Sequence, residues 1–223
     1  MTDLQDLEKN YINSLRSQYL TLLEILNEAK ELQLDLEAKE LTIYLIKRIN
    51  VYYEVQNNIK RLLDKGYISA GADFFVESVM FYLKLVLKSR LAHLDVKSEV
   101  QVKRKRGAIR PDISIWDGDK VVAIIECKTQ LGWDRGEWET KFHARVEKLK
   151  SDFPQAEGYL LTMTDLNWKG FGQAVKVDLI GKQYFNLLKR TWPGYISDSD
   201  MESTIDQPIE LLFKSILELS GRN

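Results

Sequence analysis

Five consecutive aliphatic residues, Val121-Val122-Ala123-Ile124-Ile125, constrain the fold of this chain more than any other stretch. A strand with one face in water alternates apolar and polar residues. A strand apolar at every position is covered on both faces, inside a sheet. The run is far too short to cross a bilayer. Asp117-Gly118-Asp119 just before it is a hairpin turn signal, so Ile109–Trp116 is expected to pair antiparallel with Lys120–Thr129.

The flanking segments fill in an α/β order. Residues 3–64 read as helical, with Leu4, Leu7, Tyr11, Leu15, Leu22, Leu26 and Ala29 and then Leu45, Ile49, Tyr52, Ile59 and Leu63 at helical steps. The stretch Leu32 to Glu37 breaks that period and marks a turn. Two readings stay open for this arm: a helical hairpin packed on its own domain, or a dimerisation element. Gly66 and Gly71 punctuate its end. A well-buried helix is expected over Ala72–Leu91, a strand over Val96–Val102, and a turn over Lys103–Gly107. After the hairpin, Gly132 breaks the chain, Glu137–Phe153 carries Phe142, Val146 and Leu149 at helical spacing, and Gly158–Thr164 forms a fourth strand. Phe185–Arg190 fits a strand or a short helix, and Ile209–Leu219 a closing helix with Pro208 near its first turn. This gives a helical arm over 1–66 and a mixed-sheet domain over 67–223, with its core at 72–164.

Composition narrows the function classes. Apolar residues make up 44% of 223, enough for a real core, and the net charge of −1 gives no global pull toward a polyanion. Any nucleic-acid site must then be a local patch. The single cysteine, Cys127, excludes an internal disulfide and a multi-cysteine zinc site, and fits a reducing compartment. The polar N-terminus shows no signal peptide, so the expected location is cytoplasmic, with no membrane partner.

Asp112, Glu126 and Lys128 carry the chemistry. With the turn centred near residue 118, Asp112 is expected opposite residue 124, with Glu126 one diagonal step away on the same face. Glu126, Lys128 and Gln130 are expected on one face, Cys127 and Thr129 on the other. Two neighbouring carboxylates repel, and a divalent cation relieves that cost. An all-oxygen donor set suits Mg²⁺ or Mn²⁺. Such an ion activates water and steadies a phosphate in flight, while a lysine alongside orients the water. Acid-x-Lys spacing alone is weak, since it recurs at Glu28/Lys30, Glu37/Lys39, Asp95/Lys97 and Glu139/Lys141. Only Glu126/Lys128 ends a buried strand, where charge is costly without a reason.

Pro111-Asp112 followed by Glu126-Cys127-Lys128 resembles the PD-(D/E)XK nuclease superfamily, the restriction-endonuclease-like proteins. Its core of helix, three strands, helix and strand is similar to residues 72–164. The resemblance implies that Asp112 and Glu126 are metal ligands, with the backbone carbonyl of Cys127 a further ligand and Lys128 the catalytic lysine. It also points to Glu77, the one acidic residue in the middle of helix 72–91, as a fourth catalytic and metal-binding candidate, and to Gln130 as the end of a Glu-x-Lys-x-Gln pattern. The implied activity is a Mg²⁺-dependent DNA endonuclease similar to type II restriction enzymes. It would act on double-stranded DNA, and a homodimer would cut both strands. The competing readings are a non-catalytic nucleic-acid-binding or assembly module on the same fold, and a repair or RNA nuclease.

Lys103, Arg104, Lys105 and Arg106, with Arg110 and Lys97 nearby, form the densest basic stretch and are the expected phosphate contacts. Residues 132–145 mix Trp133, Arg135, Trp138, Lys141, His143 and Arg145. That mixture suits either base stacking or core packing of the tryptophans.

Overall fold

The computed structural model describes residues 3–131, 137–166, 171 and 177–220. Helices α1 (Leu4–Asn27), α2 (Glu40–Leu62) and α3 (Gly71–Ser89) lead into strands β1 (Asp95–Ser98), β2 (Ile113–Asp117) and β3 (Lys120–Lys128). Then follow α4 (Trp138–Lys150), β4 (Glu157–Thr164), β5 (Tyr184–Leu188), α5 (Met201–Thr204) and α6 (Ile209–Leu219). The strands form one sheet in the order β1-β2-β3-β4-β5. The first three run antiparallel to one another, and β4 and β5 continue parallel to β3. The chain is therefore α/β with a mixed five-stranded sheet, and β3 lies at its centre, as the aliphatic run predicts. Gly118, at φ +57°, makes the tight turn between β2 and β3.

The two faces of β3 feed different cores. Ala123, Ile125 and Cys127 belong to the large core that α2, α3 and α6 build with the sheet, whereas Val121 and Ile124 pack with Leu149 of α4. At Gly158 of β4 an added Cβ would collide with Val146 of α4, so this glycine sets how closely α4 lies on the sheet. That matters because α4 carries Arg145.

Several boundaries differ from the sequence reading. The strand expected over 96–102 stops at Ser98, because Glu99 turns to φ +52° and leaves the ladder. The second strand begins at Ile113 rather than Ile109, so Asp112 immediately precedes it. Tyr184–Leu188 is a strand, which resolves the choice between strand and helix there. The closing helix has the expected bounds, with Pro208 at its N-cap.

Residue 66 does not mark the edge of the core. Leu41, Leu45, Ile46 and Ile49 of α2 lie in the same buried cluster as α3, the sheet and α6. Backbone N–H groups at the start of α2 have no acceptor within the helix. Those of Leu41 and Thr42 donate to Glu210 Oε1 of α6 at 2.8 and 3.1 Å. The Thr42 hydroxyl donates to Glu210 Oε2 at 2.5 Å and accepts from the Ile209 N–H at 2.8 Å. Only α1 leaves the body: none of its residues is buried, and Leu22, Ile25 and Leu26 near its C-terminal end pack against the core. Among the described residues no helix is long and apolar enough to cross a membrane.

Candidate active site

The β2–β3 pairing brings the expected acidic residues together in a register different from the one expected. A bulge between Ile115 and Trp116 shifts the ladder, so Ile113 pairs with Ile125. One further step sets Asp112 level with Glu126, not opposite residue 124. Two shifts add up: the turn pairs Asp117 with Lys120 and so is centred just past residue 118, and the bulge adds one residue on β3. Asp112 Oδ2 accepts the backbone N–H of Cys127 at 2.7 Å and the Lys128 ammonium at 3.1 Å. The Asp112 carbonyl accepts from Ser98 Oγ at 2.9 Å, which fastens this residue to the end of β1. Lys128 Nζ is 4.0 Å from Glu126 Oε2 and so lies between the two carboxylates.

Glu126 is the most constrained member. It is 7% exposed, and Arg145 of α4 places its Nε 2.5 Å from Glu126 Oε1. Burial pushes the Glu126 carboxyl up to about 7, against the opposing pull of Arg145; the negative charge of Asp112 adds to the rise and Lys128 reduces it. Arg145 also donates through Nη2 to the carbonyl of Arg110, two residues ahead of Asp112. One side chain thus ties α4 to Glu126 and to the segment leading into Asp112. The sequence reading placed Arg145 in a mixed aromatic and basic stretch without a site role. Its place beside the apolar stripe Phe142, Val146 and Leu149 is legible in the sequence, but its reach to Glu126 depends on how α4 packs on the sheet.

A cleft of about 490 Å³ opens between α3 and the ends of β2 and β3, lined by Glu77, Asp112, Cys127, Lys128 and Gln130 among others. Glu77 is exposed at this cleft, so its proposed role does not follow from the cost of burying it. Asp73, one turn earlier on α3, and Glu99 also line it, and both escaped the sequence reading. Gln130 does not stay on the face of Glu126 and Lys128. The strand ends at Lys128, and Gln130 Nε2 donates to the Trp192 carbonyl at 2.9 Å. The Cys127 thiol is buried in the core on the α3 side, and burial holds it well above the usual thiol range. It is therefore neutral, which leaves the backbone carbonyl as the atom Cys127 has to offer a cation.

The two basic stretches divide. Lys103 and Lys105 both pair with Asp152 at the surface, at 3.0 and 2.5 Å, and their hydrogen bonds hold the Asp152 carboxyl below its ordinary value, Lys105 contributing most. Arg104, Arg106 and Arg110 are exposed and make no ion pair among the described residues. In the second stretch Trp138 is 8% exposed and packs against Phe171 and Tyr184, so core packing is its role. His143 Nε2 lies 2.5 Å from the Tyr184 hydroxyl. Lys141 pairs with Glu137 at 3.4 Å. Trp133 and Arg135 lie outside the described residues, as does Gly132.

Among the described residues no three His, Cys, Asp or Glu side chains are grouped closely enough to hold a metal ion by themselves. An ion here would rest on Asp112 and Glu126, with the remaining positions filled by backbone, water or phosphate oxygen. That is how Mg²⁺ is commonly held, through one or two carboxylates. Comparison of the sequence with protein-family models and with curated proteins gives no match.

Proposed function

We propose that this chain is a metal-dependent nuclease that hydrolyses nucleic-acid phosphodiester bonds, a DNA endonuclease on a restriction-endonuclease-like PD-(D/E)XK core. The observation that carries the reading is the meeting of Asp112, Glu126 and Lys128 at one end of the central strands, with Asp112 and Lys128 lining an open cleft and Glu126 buried behind them. Four carboxylates, from Asp73, Glu77, Glu99 and Asp112, line that cleft with one lysine. Alone, such a surface repels a phosphate backbone; with a divalent cation it attracts one.

The residues fit Mg²⁺ or Mn²⁺. Asp112 directs only Oδ2 at Cys127 and Lys128, and Glu126 Oε2 faces Lys128 at the edge of contact. Each carboxylate therefore keeps an oxygen for a cation, and burial of Glu126 makes a positive partner favourable. The ion supplies charge stabilisation and a more acidic bound water. Asp112 is held rigidly by the Cys127 N–H, so its oxygen is set before any ligand arrives. Lys128 balances the two carboxylates and directs its ammonium donors at water or at a phosphate oxygen. Arg104, Arg106 and Arg110 offer phosphate contacts along the approach to Asp112.

The Arg145–Glu126 contact favours a second reading, a nucleic-acid-binding module in which Glu126 serves a structural ion pair. Incubation of the purified chain with double- and single-stranded DNA and RNA, with Mg²⁺ or Mn²⁺, separates the two. The nuclease reading expects metal-dependent cleavage that Glu126→Ala and Lys128→Ala abolish. Binding without cleavage of any substrate in either metal supports the module instead.

A further inference from the structure

Helix α1 carries an apolar stripe with none of the described residues beneath it. Leu4, Leu7, Tyr11, Leu15 and Tyr19 follow at steps of three and four, so they share one face. They are 71, 53, 61, 50 and 64% exposed. The same face continues into Leu22, Ile25 and Leu26, which pack on the core. A core-facing stripe therefore runs past the edge of the body for about four turns into water. With roughly 100 Å² of each side chain left in water, these five and the neighbouring Ile12 leave on the order of 600 Å² of apolar surface per chain. That is the top of the range for a monomer's largest patch and close to the ~800 Å² that each partner buries in a standard interface.

We propose that α1 is the dimer interface of this protein, pairing antiparallel with α1 of a second copy. Charge selects the partner and the direction. Glu8 and Arg16 flank the stripe, with Ile12 midway between them. An antiparallel pair centred on residue 12 sets Glu8 beside the partner's Arg16 on both sides of the two-fold axis. A parallel pair carries the two Glu8 residues, and the two Arg16 residues, to opposite sides of the seam, so it does not bring Glu8 and Arg16 together. The stripe is apolar on both copies, so the surface is complementary to itself, as a two-fold interface requires. The proposal does not depend on the nuclease reading, and its test uses no cleavage.

Light scattering coupled to size exclusion is expected to give twice the 26.0 kDa chain mass for the wild type. Leu7→Glu/Leu15→Glu should give a single chain mass with an unchanged circular dichroism spectrum, since neither residue contributes to the core, and with a melting temperature that no longer depends on protein concentration. The chain's one cysteine is buried, so introduced cysteines report orientation cleanly. Under mild oxidation Tyr11→Cys should cross-link to itself, and Leu4→Cys should not, because antiparallel pairing separates the two copies of residue 4 by about 24 Å along the helix. A single-chain mass for the wild type at all concentrations overturns the proposal, as does a dimer that survives the double substitution. Self-cross-linking at both positions overturns the antiparallel arrangement.

Discussion

Arg145 Nε stands 2.5 Å from Glu126 Oε1, and the same guanidinium donates to the carbonyl of Arg110. The helix behind the sheet thereby fixes both the buried carboxylate and the approach to Asp112. Removing one partner of a buried pair costs more than the pair contributes, because the other charge stays behind. Arg145→Ala is expected to lower stability by about 2 kcal/mol, a figure reduced for the partial exposure of the arginine. It should also raise the Glu126 titration midpoint, as followed by carboxyl-carbon NMR. An unchanged midpoint in this variant would show that the contact carries no electrostatic weight.

The raised Glu126 carboxyl makes stability depend on pH. Its ordinary value is 4.5 and its folded value about 7. Between these, the unfolded chain has lost the proton and the folded chain still holds it, so stability falls as pH rises through this window and levels off above it. Without divalent ions, Glu126→Gln should gain on the wild type by roughly 3 kcal/mol between about pH 4.5 and pH 8. Urea unfolding at several pH values measures this. A difference that stays flat with pH would remove Glu126 as its source. In the nuclease reading, Mg²⁺ affinity and cleavage rise through the same window, because the cation takes the ionised carboxylate.

Basic residues of the 103–110 segment are expected to contribute unequally to nucleic-acid binding. All five are exposed, but Lys103 and Lys105 are paired with Asp152, whereas Arg104, Arg106 and Arg110 make no ion pair among the described residues. Each of the three arginines changed to alanine should reduce the salt slope of DNA affinity by about 1, and Lys103→Ala or Lys105→Ala by much less. Asp152→Asn should strengthen binding by releasing both lysines. Fluorescence anisotropy across a salt series tests this, and equal losses at all five positions would contradict it.

Glu210 is predicted to matter for stability beyond its size. Glu210→Ala leaves the Leu41 and Thr42 N–H groups and the Thr42 hydroxyl without an acceptor inside the core. The expected loss is about 3 kcal/mol, with faster hydrogen exchange at the Leu41 and Thr42 amides. A loss within about 0.5 kcal/mol, as at ordinary surface positions, would show that water substitutes for the carboxylate.

The central strand, the hairpin and the closing helix were legible because each rests on local patterning: an aliphatic run, an Asp-Gly-Asp turn, and a period of 3.6 after Pro208. The meeting of Asp112, Glu126 and Lys128 was legible too, since a hairpin brings its own arms together. Their register was not, because the turn centre lies just past residue 118 and one bulge residue shifts every pairing beyond it by a further step. Contacts between elements distant in sequence left no local trace. The pairing of Lys103 and Lys105 with Asp152, the reach of Arg145 to Glu126, and the departure of Gln130 toward Trp192 depend on how α4 and the chain after β5 pack. The share of α2 in the core was hidden for the same reason, since a helical stripe does not say what it packs against.

The Glu210 carboxylate that completes the start of α2 stands 168 residues further along the chain than Thr42. The consequence is one of timing. As the polypeptide is synthesised from its N-terminus, α2 emerges well before α6, so its first amides have no Glu210 acceptor until α6 follows. The start of α2 is completed only when α6 docks on it, so two helices far apart along the chain are secured by one event.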